Sequence, residues 1–86
     1  MSMDNAEIAR LLTQALPDAR IDVQGDGYKY QVNVVSPSFA GLNRVKRQQA
    51  VYRILNEHIQ SGAIHAVNMQ LQTPEEAGVP NRPDQG

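Results

Sequence analysis

The 86 residues, of which 41% are hydrophobic and 20% charged, suffice for one small core and are too apolar for a disordered chain. The absence of cysteine excludes a disulfide framework, thiolate metal ligands and a cysteine nucleophile. A net charge of −1 exerts no global pull on nucleic acid or anionic lipid, so any electrostatic role needs local asymmetry.

In chain order, Ile8, Leu11, Leu12, Ala15 and Leu16 recur at the spacing of an amphipathic helix. Asp4 and Glu7 can form a capping box at its start, and Pro17 ends it near Ala15. Ile21 and Val23 then alternate with polar residues, as do Tyr28, Tyr30, Val32 and Val34 after Gly25-Asp26-Gly27. This predicts an antiparallel hairpin whose tight connection uses the conformational freedom of the two glycines, with Tyr28 and Tyr30 on its core side. Ser36-Pro37-Ser38 breaks the second strand.

A second helix is expected over residues 43–61, with Val45, Val51, Tyr52, Ile54, Leu55 and Ile59 on its apolar side and Gly62 as its stop. Val67, Met69 and Leu71 alternate in a third strand that ends at Thr73-Pro74. The order is α-β-β-α-β, an α/β (α+β) domain. The long connection through the second helix lets strands two and three run parallel, giving a three-stranded mixed sheet with both helices on one face. The domain is expected to cover residues 1–76, and residues 77–86, with almost nothing to bury, form a flexible tail.

The charge asymmetry lies in FAGLNRVKRQQAVY, residues 39–52, where Arg44, Lys46, Arg47 and the following Arg53 precede the next acidic residue, Glu57. At 3.6 residues per turn, Lys46 and Arg53 point to solvent, Arg44 falls within the apolar arc and Arg47 at its margin. Cations in a helix's first turn oppose its dipole at a cost of about 0.3–1 kcal/mol each. A binding surface explains their presence; so do stems laid over the core edge with the charged heads in water.

The same stretch resembles the signature of the BolA-like proteins, matched by Phe39, Gly41, Arg44, Arg47, Val51 and Tyr52. The resemblance continues through Ile64-His65-Ala66-Val67 and Thr73-Pro74-Glu75-Glu76, and the Gly25-Asp26-Gly27 turn and lack of cysteine resemble the bacterial IbaG-type acid-stress subgroup. It implies a fold similar to the class II KH domain and a monothiol glutaredoxin as partner, with Phe39, Gly41, Arg44 and Arg47 as contact residues. It also implies a [2Fe-2S] cluster shared with the glutaredoxin and glutathione, His65 being one ligand, and none bound by the isolated chain. Some family members are described as transcriptional regulators.

On spacing alone, His65 shares parity with Val67, Met69 and Leu71 at the start of the third strand and reads as an ordinary core-edge histidine; the resemblance is what assigns it to a metal. Where family members often have a second ligand between strands one and two, this chain has Lys29, whose protonated amine has no lone pair to donate. His58 reads as structural.

Nucleic-acid binding, the alternative role, would rest on Arg44, Lys46, Arg47 and Arg53, and the GXXG loop of KH domains is absent from the sequence. No linked nucleophile and base, phosphate loop or metal triad points to an enzyme. The polar opening Met1-Ser2-Met3-Asp4-Asn5 and the lack of any stretch near the roughly 20 apolar residues of a bilayer span lead to the expectation of a cytoplasmic protein without membrane contact, monomeric or weakly dimeric when alone.

Overall fold

The computed structural model describes residues 3–78. Its elements are α1 (Asn5–Ala15), β1 (Arg20–Gly25), β2 (Lys29–Val35), a 3-10 turn (Pro37–Phe39), α2 (Arg44–Gln60), β3 (Ala66–Gln72) and a short α3 (Pro74–Ala77). The two main helices and three strands follow the order predicted by periodicity. The 3-10 turn and α3 are additions, in segments whose prolines read only as strand ends.

Each boundary has a local cause. The Asp4 N–H donates to the Glu7 carboxylate at 3.1 Å, and α1 stops one residue short of Leu16, the position Pro17 keeps from helical geometry. In the hairpin turn, Asp26 Oδ1 accepts from the backbone N–H groups of Lys29 at 2.8 Å and Tyr28 at 2.9 Å, and these bonds lower its pKa. The two glycines of this turn have different duties. Gly27 adopts φ 93°, whereas Gly25 is there because a Cβ would run into the Tyr30 ring and the Lys29 carbonyl. Asn43 caps α2, its side chain accepting from the Lys46 N–H at 2.9 Å.

The sheet order is β1-β2-β3, with β1 antiparallel and β3 parallel to β2. Register puts Ile21 and Val23 of β1 opposite Val34 and Val32, and Val67, Met69 and Leu71 of β3 beside Tyr30, Val32 and Val34. Strand alternation therefore gathers these residues on one face, where they meet Ile8 and Leu12 of α1 and Val51 and Leu55 of α2. Full burial of one such aliphatic side chain contributes about 1.5–3 kcal/mol. The opposite face is polar, carrying Asp22, Gln31, Asn33, Asn68 and Gln70. The far end of the sheet is tied by the Ser36 N–H, which donates to the Gln72 carbonyl at 2.9 Å, while the buried Ser36 hydroxyl accepts from the Ser38 N–H.

Three aromatic and apolar placements differ from the helical and strand patterns. Tyr52 is 43% and Val45 58% exposed, because both lie on the flank of α2 beyond the sheet, where no element covers them. Tyr28 is 57% exposed, since β2 begins at Lys29 and Tyr28 stands before the ladder rather than over the core. At the other terminus α3 runs to Ala77, and Gly78 closes it with φ 72°. Of the expected tail, residues 79–86 lie outside the described residues.

Candidate functional site

Of the residues singled out by sequence, His65 and Lys29 lie at the head of β3 and Arg47 at its other end. At about 3.3 Å rise per residue, His65 and Thr73, eight positions apart, lie roughly 26 Å from each other. His65 therefore does not share a pocket with Arg44 and Arg47, and only a macromolecular partner could touch both ends.

At the first end, β3 starts at Ala66, whose N–H donates to the Tyr28 carbonyl at 3.2 Å. This bond fixes the preceding His65 beside Tyr28. The two rings stack, with centroids 4.8 Å apart and planes 22° from parallel. His65 is exposed rather than at the core edge, because it precedes the strand whose parity would have turned it inward. Lys29 pairs in register with Ala66 and is exposed among the polar residues of β2. No group of three or more histidine, cysteine, aspartate or glutamate side chains suited to a metal exists among the described residues. At this end of the strand the imidazole of His65 is the one side chain with a nitrogen lone pair to offer a metal, since the protonated amine of Lys29 has none.

At the second end, Arg47 is engaged within the fold. Its Nε donates to the Leu42 carbonyl at 2.8 Å, one terminal nitrogen to the Leu71 carbonyl at 3.1 Å, and the two terminal nitrogens to the Glu76 carboxylate at 2.6 and 3.1 Å. The guanidinium also lies 5.8 Å from the centroid of the Phe39 ring. Glu76 in turn accepts from the Thr73 N–H at 2.9 Å, and the Thr73 hydroxyl accepts from the Glu76 N–H at 3.2 Å, a capping box that starts α3. The Arg47 bonds, followed by the Thr73 N–H, hold the Glu76 carboxyl down at a pKa of about 2, and Glu76 raises that of Arg47.

Burial redistributes the expected contact set. Phe39 is in the core, 1% exposed, and the Arg47 side chain is only 12% exposed, so neither presents a free surface; both hold the loop before α2 against β3. Gly41, with φ 80°, and Arg44 are exposed. Arg44 was expected within the apolar arc, but it opens α2, and the turn extends past the core. A helical angle gives direction around the axis and says nothing about where the core ends. Lys46 and Arg53 are exposed as expected, and Arg47–Glu76 is the one ion pair among the described residues. The Arg47–Glu76 pair was missed by sequence reading; the TPEE segment after the third strand was its only signal.

Arg44, Arg47 and Gln48 of α2 and Met69 and Leu71 of β3 line a groove of about 670 Å³, closed at one end by Glu76. His65 lies outside it.

A mixed three-stranded sheet backed by helices on one face, with a signature arginine clamped to a TPEE cap, defines a small α+β domain of a known kind: residues 10–76 match the model of the BolA-like protein family, and the chain belongs to that family. It is similar to the acid stress protein IbaG of Escherichia coli, with 45% identity over 74 residues that cover 86% of this chain and 88% of that protein. Among solved structures it resembles a bolA protein homologue from Coxiella burnetii, with a TM-score of 0.77, 30% identity and coverage of 88% of this chain and 97% of that one. It also resembles BolA1 from Arabidopsis thaliana, with a TM-score of 0.76, 26% identity and coverage of 88% and 98%. No helix among the described residues is long and apolar enough to cross a membrane.

Proposed function

We propose that this chain is a cytoplasmic BolA-type adaptor, not an enzyme, that docks on a monothiol glutaredoxin and offers His65 as a ligand to a shared [2Fe-2S] cluster. Glutathione and the glutaredoxin supply the other ligands, and the role is in iron-sulfur cluster trafficking or in iron and acid-stress regulation. The observation that carries this reading is the exposed imidazole stacked on Tyr28 at the head of β3, together with family membership. A ring held by stacking, with its edge in water, is available to a metal brought by another protein. The similarity to a protein named for acid stress supports the regulatory part.

The test mixes the protein with a bacterial monothiol glutaredoxin, iron, sulfide and glutathione. A coloured heterocomplex is expected, with visible absorption and circular dichroism that change in His65→Ala. Absence of any complex, with or without cluster, overturns the reading.

A second reading is nucleic-acid regulation, favoured by exposed Arg44, Lys46 and Arg53 with no ion-pair partner among the described residues. It is weakened because Arg47, the fourth cation of the set, is neutralised by Glu76. Binding of duplex or single-stranded probes that falls steeply with salt and is lost in Arg44→Ala would support it.

A further inference from the structure

The two edges of the sheet are built differently. β1 carries Arg20 and Asp22, charges of the kind that discourage further strand pairing, whereas β3, AVNMQLQ, has neither a charge nor a proline. The hydrogen bonds define which groups of β3 are open. Ala66 donates to Tyr28 and Gln72 accepts from Ser36, so in a parallel ladder the residues of this parity, including Asn68 and Gln70, turn their backbone groups to β2. Val67, Met69 and Leu71 turn theirs outward. The Leu71 carbonyl confirms the direction, since Arg47 reaches it from the outer side at 3.1 Å. The open edge thus consists of the N–H and C=O of Val67 and Met69 and the N–H of Leu71.

This edge borders the groove beneath α2. Arg44 and Gln48, four residues apart, stand together on the helix wall of this groove. Arg47 is already matched by Glu76, so Arg44 is the cation left at the Leu71 end of the groove.

We propose that the β3 edge and the adjoining wall of α2 accept an extended segment of a partner protein as a fourth strand, parallel to β3, with its terminal carboxylate on Arg44. Backbone pairing supplies register, apolar side chains of the incoming strand lie against Met69 and Leu71, which line the groove, and the carboxylate selects the end. Charge separates this occupant from a second copy of the chain: a two-fold dimer pairs the two β3 edges antiparallel and brings residues 60–66 of the other copy, none of them acidic, to the Arg44 end. The proposal is independent of the cluster reading, which rests on His65, and shares only Arg44 with the contact set that the family resemblance implies.

The probe is a synthetic peptide, acetyl-Thr-Val-Thr-Val-Thr-Asp with a free C-terminus, added at millimolar concentration to the isotope-labelled full chain and followed by NMR. The amides of Val67, Met69 and Leu71 are expected to shift, and those of Asn68 and Gln70, tied to β2, to shift less. Arg44→Gln should weaken binding about tenfold, the scale of one charge-assisted hydrogen bond. The neutral analogue ending in Asn-amide should lose the same factor, and Met69→Pro, which removes an outward N–H, should abolish binding. Since Met69→Pro risks the fold, the Arg44→Gln surface variant decides the matter independently. Absence of peptide binding, equal binding of the two peptides, or unchanged affinity in Arg44→Gln overturns the proposal. So do shifts of the edge amides with protein concentration alone, which would mean a second copy, or with an oligothymidine probe but not the peptide, which would mean nucleic acid.

Discussion

Arg44 and Arg47 stand three residues apart in the first turns of one helix, yet they serve opposite ends of the protein's physics. Arg47 spends its guanidinium on two loop and strand carbonyls and a bidentate carboxylate, so its charge is consumed in joining α2, β3 and α3. Arg44 is exposed and makes no ion pair among the described residues. Adjacent cations in a signature thus need not share a role: planar, multi-donor geometry suits Arg47 to a structural junction, while a free cation at a helix start opposes the dipole and adds nothing to the stability of the helix.

The two arginines would have the same role if Arg47→Ala were harmless. That substitution leaves the Leu42 and Leu71 carbonyls without the guanidinium and Glu76 without its counter-ion, and a fall in Tm on the order of 10 °C is expected by circular dichroism. Arg47→Lys should restore little, because an ammonium cannot reproduce the fork.

The next largest effect is on pH dependence. Glu76 titrates near 4.5 when unperturbed and about 2 in the fold, so its contribution is fully present above the unfolded value and is lost as pH falls toward 2. Glu76→Gln should therefore be less stable than the parent at pH 7, and denaturant melts should show the gap closing between pH 4.5 and 2. A gap that is constant with pH would detach the ion pair from stability.

Thr73→Ala, which removes the capping hydroxyl beneath the same junction, should cost about 1 kcal/mol. Arg44→Ala should have the smallest effect, leaving Tm unchanged or slightly raised because a cation leaves the first turn. A large loss of stability in Arg44→Ala would erase the distinction between the two arginines.

His65 illustrates the same limit of local pattern at the other end of β3. Parity with Val67 and Met69 pointed it toward the core, but parity holds only inside a paired strand, and pairing starts one residue later at Ala66. Its support comes from Tyr28, 37 positions earlier, through a stacking contact that only the parallel β2–β3 register creates.

The sequence by itself determined the order of the two main helices and three strands, the hairpin, the helix stops at Pro17 and Gly62, and the family. These are properties of period, capping and turn chemistry within a few residues, and of a motif that can be recognised as a string. Only the tertiary structure decided that Phe39 is buried beneath Arg47, that Glu76 takes up Arg47, that Tyr28 and Tyr52 are exposed, and that β3 ends the sheet with an open edge. Each depends on where an element stops relative to the core, or on how separate segments pack together, as Arg47 and Glu76 do across 29 positions of the chain. A helical angle or a strand parity carries no information about either.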